Sequence, residues 1–289
     1  MRILVTGAGG QVGREILAEL SRRQDQVAHG SSLEVVATDH AHLDVISRDQ
    51  VMAVIVQLEP DVVIHLAAWT AVDACEEDPA RAYAVNSLGT RHVAEAASLV
   101  GAHVCYLSTD YVFDGTLERP YTEWDRPNPQ SVYGRSKLGG ERELAPEATI
   151  VRTAWVCGRY GTNMAKTVLQ LAGDGGVLRF VADQEGSPTM ADDLAGVVVR
   201  LALERRRGIF HVTNQGSTSW FGFARAVLEL AGEDPGRAEP IMTSELDPPR
   251  AAPRPANSVL DNSALALAGD PLLPDWRDSL GRLVADLRA

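Results

Sequence analysis

The sequence predicts an α/β fold built on a doubly wound parallel sheet with helices on both faces. Apolar β-prone runs alternate with helical patterns through the first half of the chain, which is typical of repeated strand–helix units. The third run, residues 62–66, is continuously apolar, as expected for a strand buried on both faces. A glycine-rich turn joins the first strand directly to the first helix, so we expect a sheet of the Rossmann type.

The first half is accounted for by five strands and three helices. The first helix has Ile16, Leu17 and Leu20 at helical spacing, and the second begins at Pro79 and is rich in alanine. The predicted strands are residues 2–6, 33–38, 62–66, 104–107 and 149–151, and the predicted helices are 14–23, 79–100 and one that starts within 131–137.

The second half mixes the two element types and indicates a smaller lobe. A helix over 192–204 places Leu194, Val197 and Leu201 on one face. Four prolines within residues 247–256 indicate an ordered loop or a linker. Further helices are predicted over 163–172, 219–230 and 276–287, and a short strand over 208–212.

The turn after the first strand has the features of a dinucleotide-binding site. Its segment Gly7-Ala8-Gly9-Gly10-Gln11-Val12-Gly13 spaces glycines as G-x-x-G-x-x-G. Glycine permits a tight turn and a close backbone approach, and the helix N-terminus that follows presents N–H groups to a pyrophosphate. We therefore expect an NAD(P)-binding domain over residues 1–155 and a mainly substrate-binding lobe over 156–289, parts of which return to the core.

The second predicted strand ends at Asp39, where the adenosine ribose of a bound dinucleotide should lie. A carboxylate there can accept hydrogen bonds from both ribose hydroxyls and would repel a 2′-phosphate. His40 supplies no fixed positive charge, so the sequence favours NADH over NADPH. Asp44 and Val45 follow shortly after, where Asp44 could contact the adenine amino group.

A tyrosine stands four residues before a lysine in Tyr133-Gly134-Arg135-Ser136-Lys137, so the two side chains share one face of the predicted helix. A nearby positive charge is expected to lower the pKa of a phenol, which is ordinarily about 10. Such a phenol can exchange a proton with a carbinol oxygen. Further candidate segments follow the predicted strands, at 7–13, 39, 67–72, 108–114 and 153–157.

The composition of the 289 residues argues against several classes of protein. A net charge of −12 argues against a nucleic-acid partner or an anionic membrane surface. No run approaches the ~20 apolar residues of a membrane span, and we expect no signal peptide because the first predicted strand opens the chain. Cys75, Cys105 and Cys157 are few and far apart, which indicates a reducing compartment. We expect a cytoplasmic enzyme.

Six segments, residues 6–13, 65–73, 108–115, 132–137, 152–156 and 186–189, carry a resemblance that spans nearly the whole chain. They resemble the extended short-chain dehydrogenases and, more narrowly, the dTDP-4-dehydrorhamnose reductase family. The most specific is Ser108-Thr109-Asp110-Tyr111-Val112-Phe113-Asp114-Gly115. The resemblance implies reduction of the C4 ketone of a dTDP-4-keto-6-deoxyhexose by NADH or NADPH, giving dTDP-L-rhamnose from its 4-dehydro precursor.

The resemblance also implies a role for each site residue. Tyr133 would donate a proton to the nascent C4 alkoxide, and Lys137 would bind the nicotinamide ribose and lower the pKa of Tyr133. Thr109 would hydrogen-bond the carbonyl oxygen. Further contacts implied on the cofactor side are Ala67, Ala68 and Asn86. The implied substrate contacts are Thr70, Val72, Asp110, Tyr111 and Trp155, with Trp155 as an apolar wall for the deoxysugar methyl group.

Two residues depart from the family pattern. Cys157 and Trp69 stand where relatives often carry other side chains, and both would border the substrate pocket. A 4-ketoreductase for another dTDP-deoxysugar in a natural-product pathway is therefore an alternative. A non-catalytic nucleotide-binding regulatory subunit is a second alternative, against which Thr109, Tyr133 and Lys137 argue.

The resemblance also raises the question of a Mg²⁺ site shared between two copies of the chain, since a homodimer is a possible assembly. The regions concerned offer Glu15, Asp192 and Asp286. Mg²⁺ demands near-ideal octahedral geometry, and an Asp carboxylate is set back by about 1.5 Å, one bond length, relative to Glu. Two of the three acids are Asp, so we expect no bound metal.

Overall fold

The computed structural model describes residues 1–26, 33–173 and 175–289. Its strands are β1 (Arg2–Thr6), β2 (Glu34–Thr38), β3 (Val62–His65), β4 (His103–Thr109), β5 (Thr149–Thr153), β6 (Val156–Cys157), β7 (Leu178–Val181), β8 (Glu185–Gly186), β9 (Thr189–Met190), β10 (Gly208–His211), β11 (Thr218–Ser219) and β12 (Ala238–Ile241). Its helices are α1 (Gln11–Gln26), α2 (Arg48–Leu58), α3 (Val72–Glu77), α4 (Pro79–Tyr83), α5 (Gly89–Val100), α6 (Val132–Arg142), α7 (Met164–Gly173), α8 (Ala191–Leu203), α9 (Trp220–Leu230), α10 (Ser263–Leu267) and α11 (Trp276–Arg288).

Six parallel strands form the central sheet, in the order β10-β5-β4-β3-β1-β2. The five strands predicted in the first half all belong to this sheet, which confirms the predicted parallel fold. Because the strands are parallel, their carboxyl ends meet at one edge. The segments that follow β1, β3, β4 and β5 are therefore brought together there.

Helices cover both faces of the sheet. On one face, α1 and α8 pack against each other over a core that includes Ile3, Ile16 and Leu194. On the other face, α2 and α5 pack together over a core that includes Leu4, Ile55 and Val63. This is the doubly wound arrangement expected from the sequence.

A second core lies in the later part of the chain. We call it the C-terminal core; it is formed by α7, α9 and α11 with the β7–β12 pair, and it includes Phe180, Phe223 and Leu280. From the same part of the chain, β10 forms the edge strand of the central sheet beside β5, and α8 packs against that sheet. The division into domains at residues 155 and 156 stays a prediction.

One predicted helix is interrupted, whereas the proline-rich loop is ordered as expected. The predicted helix over 79–100 consists of α4 and α5 joined by a π-helical turn at Ala84–Leu88. The loop over 247–256 is held to α3 by Asp73, which accepts hydrogen bonds from Ala252 N and from both terminal nitrogens of Arg254, at 2.7–3.0 Å. Within the described residues, no helix is both long and apolar enough to span a bilayer.

A buried ion pair joins α6 to the sheet. Arg152 on β5 donates to both carboxylate oxygens of Glu141 on α6, at 2.9 and 2.7 Å. Ser108 on β4 donates to the same carboxylate at 2.5 Å, and the side chains of Arg152 and Glu141 are 2% and 5% exposed. The pair therefore fixes the orientation of α6 across two strands.

We expect Arg152→Leu to lower the free energy of unfolding by about 3–5 kcal/mol, because Glu141 would be left as an uncompensated buried charge. The measurement is urea denaturation at neutral pH. The control is Arg91→Leu, which breaks the two-bond pair between Arg91 and Glu143 at the surface and should cost no more than about 1 kcal/mol. Equal losses in the two variants would contradict the structural role given to Arg152.

Candidate active site

A cleft of about 860 Å³ opens at the carboxyl edge of the central sheet. It is lined by the turn after β1, by Asp39 after β2 and by the segments after β3, β4 and β5. Among the described residues, the structure brings all of the predicted site residues except Asn86 to this cleft: Gly7, Gly9, Gly10, Gln11, Val12, Gly13, Asp39, Asp44, Val45, Ala67, Ala68, Thr70, Val72, Thr109, Asp110, Tyr111, Tyr133, Lys137 and Trp155. Their individual roles stay predictions.

The glycine-rich turn lies against the segment that follows β3. Gly7 has a φ of +66°, and a Cβ atom built on it would lie 2.7 Å from the backbone nitrogen of Ala67. Any larger residue would therefore be strained and would also push β1 and β3 apart. The turn leads directly into α1, whose N-terminus faces the cleft with the free N–H groups that bind phosphate.

Asp39 closes the cleft at the end of β2. Its Oδ1 accepts hydrogen bonds from Ala41 N, from His42 N and, at 2.6 Å, from His42 Nδ1. The hydrogen bond with His42 is the largest cause that holds the pKa of Asp39 below its usual range. His42 was not identified from the sequence. It forms a hydrogen bond with Oδ1 of Asp39, whereas Oδ2 of Asp39 faces Gly9.

Tyr133 and Lys137 lie in the cleft one turn apart on α6, as the sequence predicts. The N-terminus of α6 is fixed by Ser131, whose hydroxyl accepts a hydrogen bond from Gly134 N. The Tyr133 ring packs edge-on against Tyr111, with centroids 5.5 Å apart. Lys137 Nζ donates to the carbonyl of Leu107 at 2.8 Å and lies 4.0 Å from the ring centroid of Tyr106.

Burial, rather than the nearby ammonium group, dominates the pKa values of this pair. Burial raises the pKa of Tyr133, and a hydrogen bond with Thr109 opposes that rise. Burial lowers the pKa of Lys137 to about 7, against the pull of Glu141. That Lys137 lowers the pKa of Tyr133 stays a prediction; in this structure Nζ contacts the Leu107 carbonyl and the ring of Tyr106. A raised pKa keeps the phenol protonated, the state required of a proton donor.

Thr109 and Asp110 follow β4 beside Tyr133. Thr109 Oγ1 donates to Asp110 Oδ1 at 2.9 Å and accepts from Tyr111 N at 3.3 Å. Asp110 is 2% exposed, and its Oδ2 is without a hydrogen-bond partner among the described residues. Burial raises the pKa of this carboxyl to about 6. Asp110 lines the cleft, and hydrogen bonds with Ser258 and Thr109 oppose the rise in its pKa.

Asn86 lies behind the cleft and not in it. Its side chain accepts from Trp69 N at 2.8 Å and donates to Trp69 O at 3.1 Å and to Ser136 Oγ at 2.9 Å. The π-helical turn buries this amide completely. The structure therefore gives Asn86 no contact with the cleft. It instead positions the segment after β3 against α6.

Of the two residues that depart from the family pattern, only one borders the cleft. Cys157 does not border the cleft; it is 2% exposed in the C-terminal core, and burial raises the pKa of its thiol to about 11. Trp69 does line the cleft, with the guanidinium of Arg81 4.6 Å above its ring. Thr153, from the candidate segment 153–157, lines it as well, and so does Trp220, which was not identified from the sequence.

Arg159 pairs with two of the three acids considered as metal ligands, Glu15 and Asp286. Arg159 donates to both carboxylate oxygens of Glu15, at 3.1 and 2.8 Å, and approaches Asp286 to 3.7 Å. The described residues include no group of three or more His, Cys, Asp or Glu side chains that could hold a metal ion. The absence of a metal stays a prediction.

Comparison with known proteins places this geometry in a family. The family model described as the RmlD substrate binding domain matches residues 1–289. A dTDP-4-dehydrorhamnose reductase of Sinorhizobium fredii is 41% identical over 295 residues, covering 98% of this chain and 97% of that protein. A probable dTDP-4,6-dihydroxy-2-methyloxan-3-one 4-ketoreductase of Streptomyces antibioticus is 38% identical, covering 100% and 96%.

A solved structure extends the likeness to the fold. The dTDP-4-dehydrorhamnose reductase of Bacillus anthracis, in complex with NADP, superimposes with a TM-score of 0.91 at 36% identity, and the match covers 99% of each chain.

We expect Asp110→Asn to gain stability relative to the wild-type chain as the pH rises from 4 to 7. The folded pKa of about 6 lies above the ordinary 3.8, so the stability that Asp110 contributes is complete at low pH and is lost as the pH rises through that window. The full loss is about 3 kcal/mol, of which about 2 kcal/mol falls between pH 4.5 and 7.5. The Asn side chain does not titrate. Urea denaturation at pH 4.5 and 7.5 measures the difference.

Asp114→Asn is the matched control for this prediction. Asp114 accepts hydrogen bonds from Asn128 and Tyr121, which hold the pKa of its carboxyl below the usual range. Its contribution to stability is therefore present at neutral pH, and the Asn variant should be destabilised there. The two variants should change stability in opposite directions at pH 7.5, and a parallel response would contradict the burial argument for Asp110.

Proposed function

The chain belongs to the family described as the RmlD substrate binding domain, and on that premise we propose that it is an NADH- or NADPH-dependent oxidoreductase. Its reaction is the reduction of the C4 ketone of a dTDP-4-keto-6-deoxyhexose, specifically dTDP-4-dehydro-L-rhamnose to dTDP-L-rhamnose. One observation carries the proposal. Tyr133, Lys137 and Thr109 line the same cleft as the glycine-rich turn, so a proton donor and a dinucleotide site share one cavity.

The chain's own residues account for the proton-transfer half of the reaction. The phenol of Tyr133 gives its proton to the oxygen at C4 as that oxygen gains charge, which is general acid catalysis. Thr109 places a hydroxyl beside Tyr133 to orient the same oxygen. Lys137 presents its ammonium group to the nicotinamide ribose, and the buried neutral surroundings keep Tyr133 protonated until the alkoxide forms.

The cleft fits a nicotinamide dinucleotide, which supplies the hydride. Gly7, where a Cβ would collide with Ala67, lets the turn pack against the segment after β3 and lead into α1, whose N-terminus would bind the pyrophosphate. Asp39 would bind the ribose hydroxyls, and Ala67 and Ala68 would lie along the dinucleotide. NADH is favoured modestly over NADPH, because Asp39 repels a 2′-phosphate while His42 forms a hydrogen bond with one of its carboxylate oxygens.

The sugar half of the substrate belongs to the part of the cleft after β3, β4 and β5. Thr70, Val72, Asp110, Tyr111 and Trp155 line that part. A 4-ketoreductase for another dTDP-deoxysugar is the second candidate. It is favoured by the 38% identity to a relative named for that reaction. The third, a non-catalytic nucleotide-binding subunit, has no comparable support.

We place the enzyme in the cytoplasm, without nucleic-acid or membrane partners and with no required metal. The net charge of −12 disfavours anionic partners, and all three cysteines are buried and unpaired. A homodimer is compatible with this proposal.

The decisive experiment measures the oxidation of NADH and of NADPH, as the loss of absorbance of the reduced nicotinamide, with several dTDP-4-keto-6-deoxyhexoses. Each product is identified by NMR. Fastest turnover of dTDP-4-dehydro-L-rhamnose, with dTDP-L-rhamnose as product, supports the first candidate. Preference for another keto sugar supports the second, and dinucleotide binding without any turnover supports the third.

We expect Tyr133→Phe to lower kcat by about 10²–10⁴-fold, the range of general acid catalysis, with little change in the Kd for NADH. Lys137→Met should be at least as damaging, because it also removes a ribose contact, and its Kd for NADH should rise. Steady-state kinetics and fluorescence titration of NADH measure the two quantities. A Phe variant with near wild-type turnover would refute Tyr133 as the proton donor.

We expect Asp39→Ala to shift the kcat/KM ratio toward NADPH on the order of tenfold, equivalent to roughly 1.4 kcal/mol, because the carboxylate that disfavours a 2′-phosphate is removed. Asp49→Ala is the charge-matched control, since Asp49 is an exposed acid of α2 that does not line the described cleft. If the ratio is unchanged in Asp39→Ala, Asp39 acts only as a cap for the turn at Ala41 and His42.

A further inference from the structure

Trp155 has an unusual backbone conformation beside the cleft. It lies between β5 and β6 with a φ of +46°, in the left-handed region that bulky residues rarely adopt. Conformations of this kind persist only where the surroundings fix them, and they cluster at ligand-binding sites. The contacts that fix Trp155 therefore bear on what its side chain does.

The indole of Trp155 is held between two surfaces. On one side, the ring of Trp220 stacks on it with centroids 3.5 Å apart and planes within 4° of parallel. At Gly186, a Cβ atom would lie 2.3 Å from Cε2 of Trp155, so only glycine leaves room for the ring. The backbone is held as well, because Trp155 O accepts a hydrogen bond from Thr189 N at 3.2 Å.

The two surfaces are brought together by a short antiparallel pairing. Strand β8 pairs with β11, with Thr218 opposite Gly186, and Trp220 is the first residue of α9 immediately after β11. The same pairing therefore sets both Gly186 and Trp220 against Trp155. None of these contacts can be read from local sequence patterns, because the partners are separated by 31 to 65 positions in the chain.

The stack connects two hydrophobic clusters. Trp155 packs with the cluster that contains Phe113 and Leu260 next to the sheet. Trp220 packs with the C-terminal core, edge-on to Phe223 at 6.0 Å. Both indoles also line the cleft, so a change in the way the C-terminal core sits would be transmitted directly to the cleft wall.

We propose that Trp220 is a positioning residue that holds Trp155 as a rigid apolar wall against the hexose of the sugar nucleotide. The inference rests on the proposed function and goes beyond it by assigning a role to a residue of the C-terminal core. The wall suits the C–H face and methyl group of a 6-deoxyhexose, because an indole surface presents no charge to it.

The stack lies far from Asp39, where the adenosine ribose would bind. Trp155 follows β5 and Asp39 follows β2, and β4, β3 and β1 separate these strands in the sheet. Four strand spacings correspond to about 19 Å. Loss of the stack should therefore weaken binding of the sugar nucleotide and leave binding of the adenosine half of the dinucleotide unchanged.

The experiment compares Trp220→Ala, Trp220→Phe and the control Trp124→Phe, which alters an exposed tryptophan outside the cleft lining. Trp220→Ala should raise KM for the keto sugar nucleotide about tenfold, roughly the worth of one aromatic stacking contact, with kcat changed less. Trp220→Phe should retain most of the wild-type KM, because a phenyl ring can still stack. The Kd for NADH should stay within about twofold of wild type in all three.

A KM for Trp220→Ala within about twofold of wild type, in an enzyme that is folded by circular dichroism, would overturn the proposal. So would equal rises in KM and in the Kd for NADH. If Trp220→Ala does not fold, the test compares Trp220→Phe with Trp220→Leu. A leucine side chain cannot stack on Trp155, so equal KM values for these two variants would overturn the proposal. Absence of wild-type turnover with every keto sugar would instead refute the proposed function.

Discussion

The geometry of the site depends on the burial of one cation, the ammonium group of Lys137, beneath the carboxyl edge of the sheet. A buried charge is costly unless it is hydrogen-bonded, and Lys137 meets that cost with the Leu107 carbonyl and the face of Tyr106. These contacts fix α6 against β4. One turn farther along, Glu141 fixes the same helix to β5 through Arg152. Tyr133, one turn earlier, therefore has its position set by a helix that is held at two points.

The opposite side of α6 is held by Asn86. Its amide joins the backbone of Trp69 to Ser136 Oγ, and Ser136 in turn donates to the carbonyl of Tyr133. The π-helical turn that presents Asn86 is the kind of local irregularity that often accompanies functional sites. Two independent sets of hydrogen bonds therefore hold α6, which explains why the side chains that this helix presents to the cleft have a fixed position.

The features predicted from the sequence were those with a local signal. The buried strands, the glycine-rich turn and the Tyr–Lys spacing each lie within a few residues, and the structure places all of them as expected. Helix α2 was missed because Val51, Val54 and Ile55 suit a strand as well as a helix, although the Ser47 cap to Gln50 N was a usable signal. Trp220 and the burial of Asn86 could not be predicted, because both depend on contacts between distant parts of the chain.

The electrostatics of the cleft set the protonation state of Tyr133. Burial disfavours the charged form of Tyr133, Lys137 and Asp110 alike, and it lowers the pKa of His65 behind them to about 3, which keeps that imidazole neutral. An alkoxide is a stronger base than a phenolate, so a protonated Tyr133 can still transfer its proton when a ketone is reduced. Oxidation of a carbinol would instead require the phenolate, which this environment destabilises. The same burial that fixes the helix therefore suits the site to reduction.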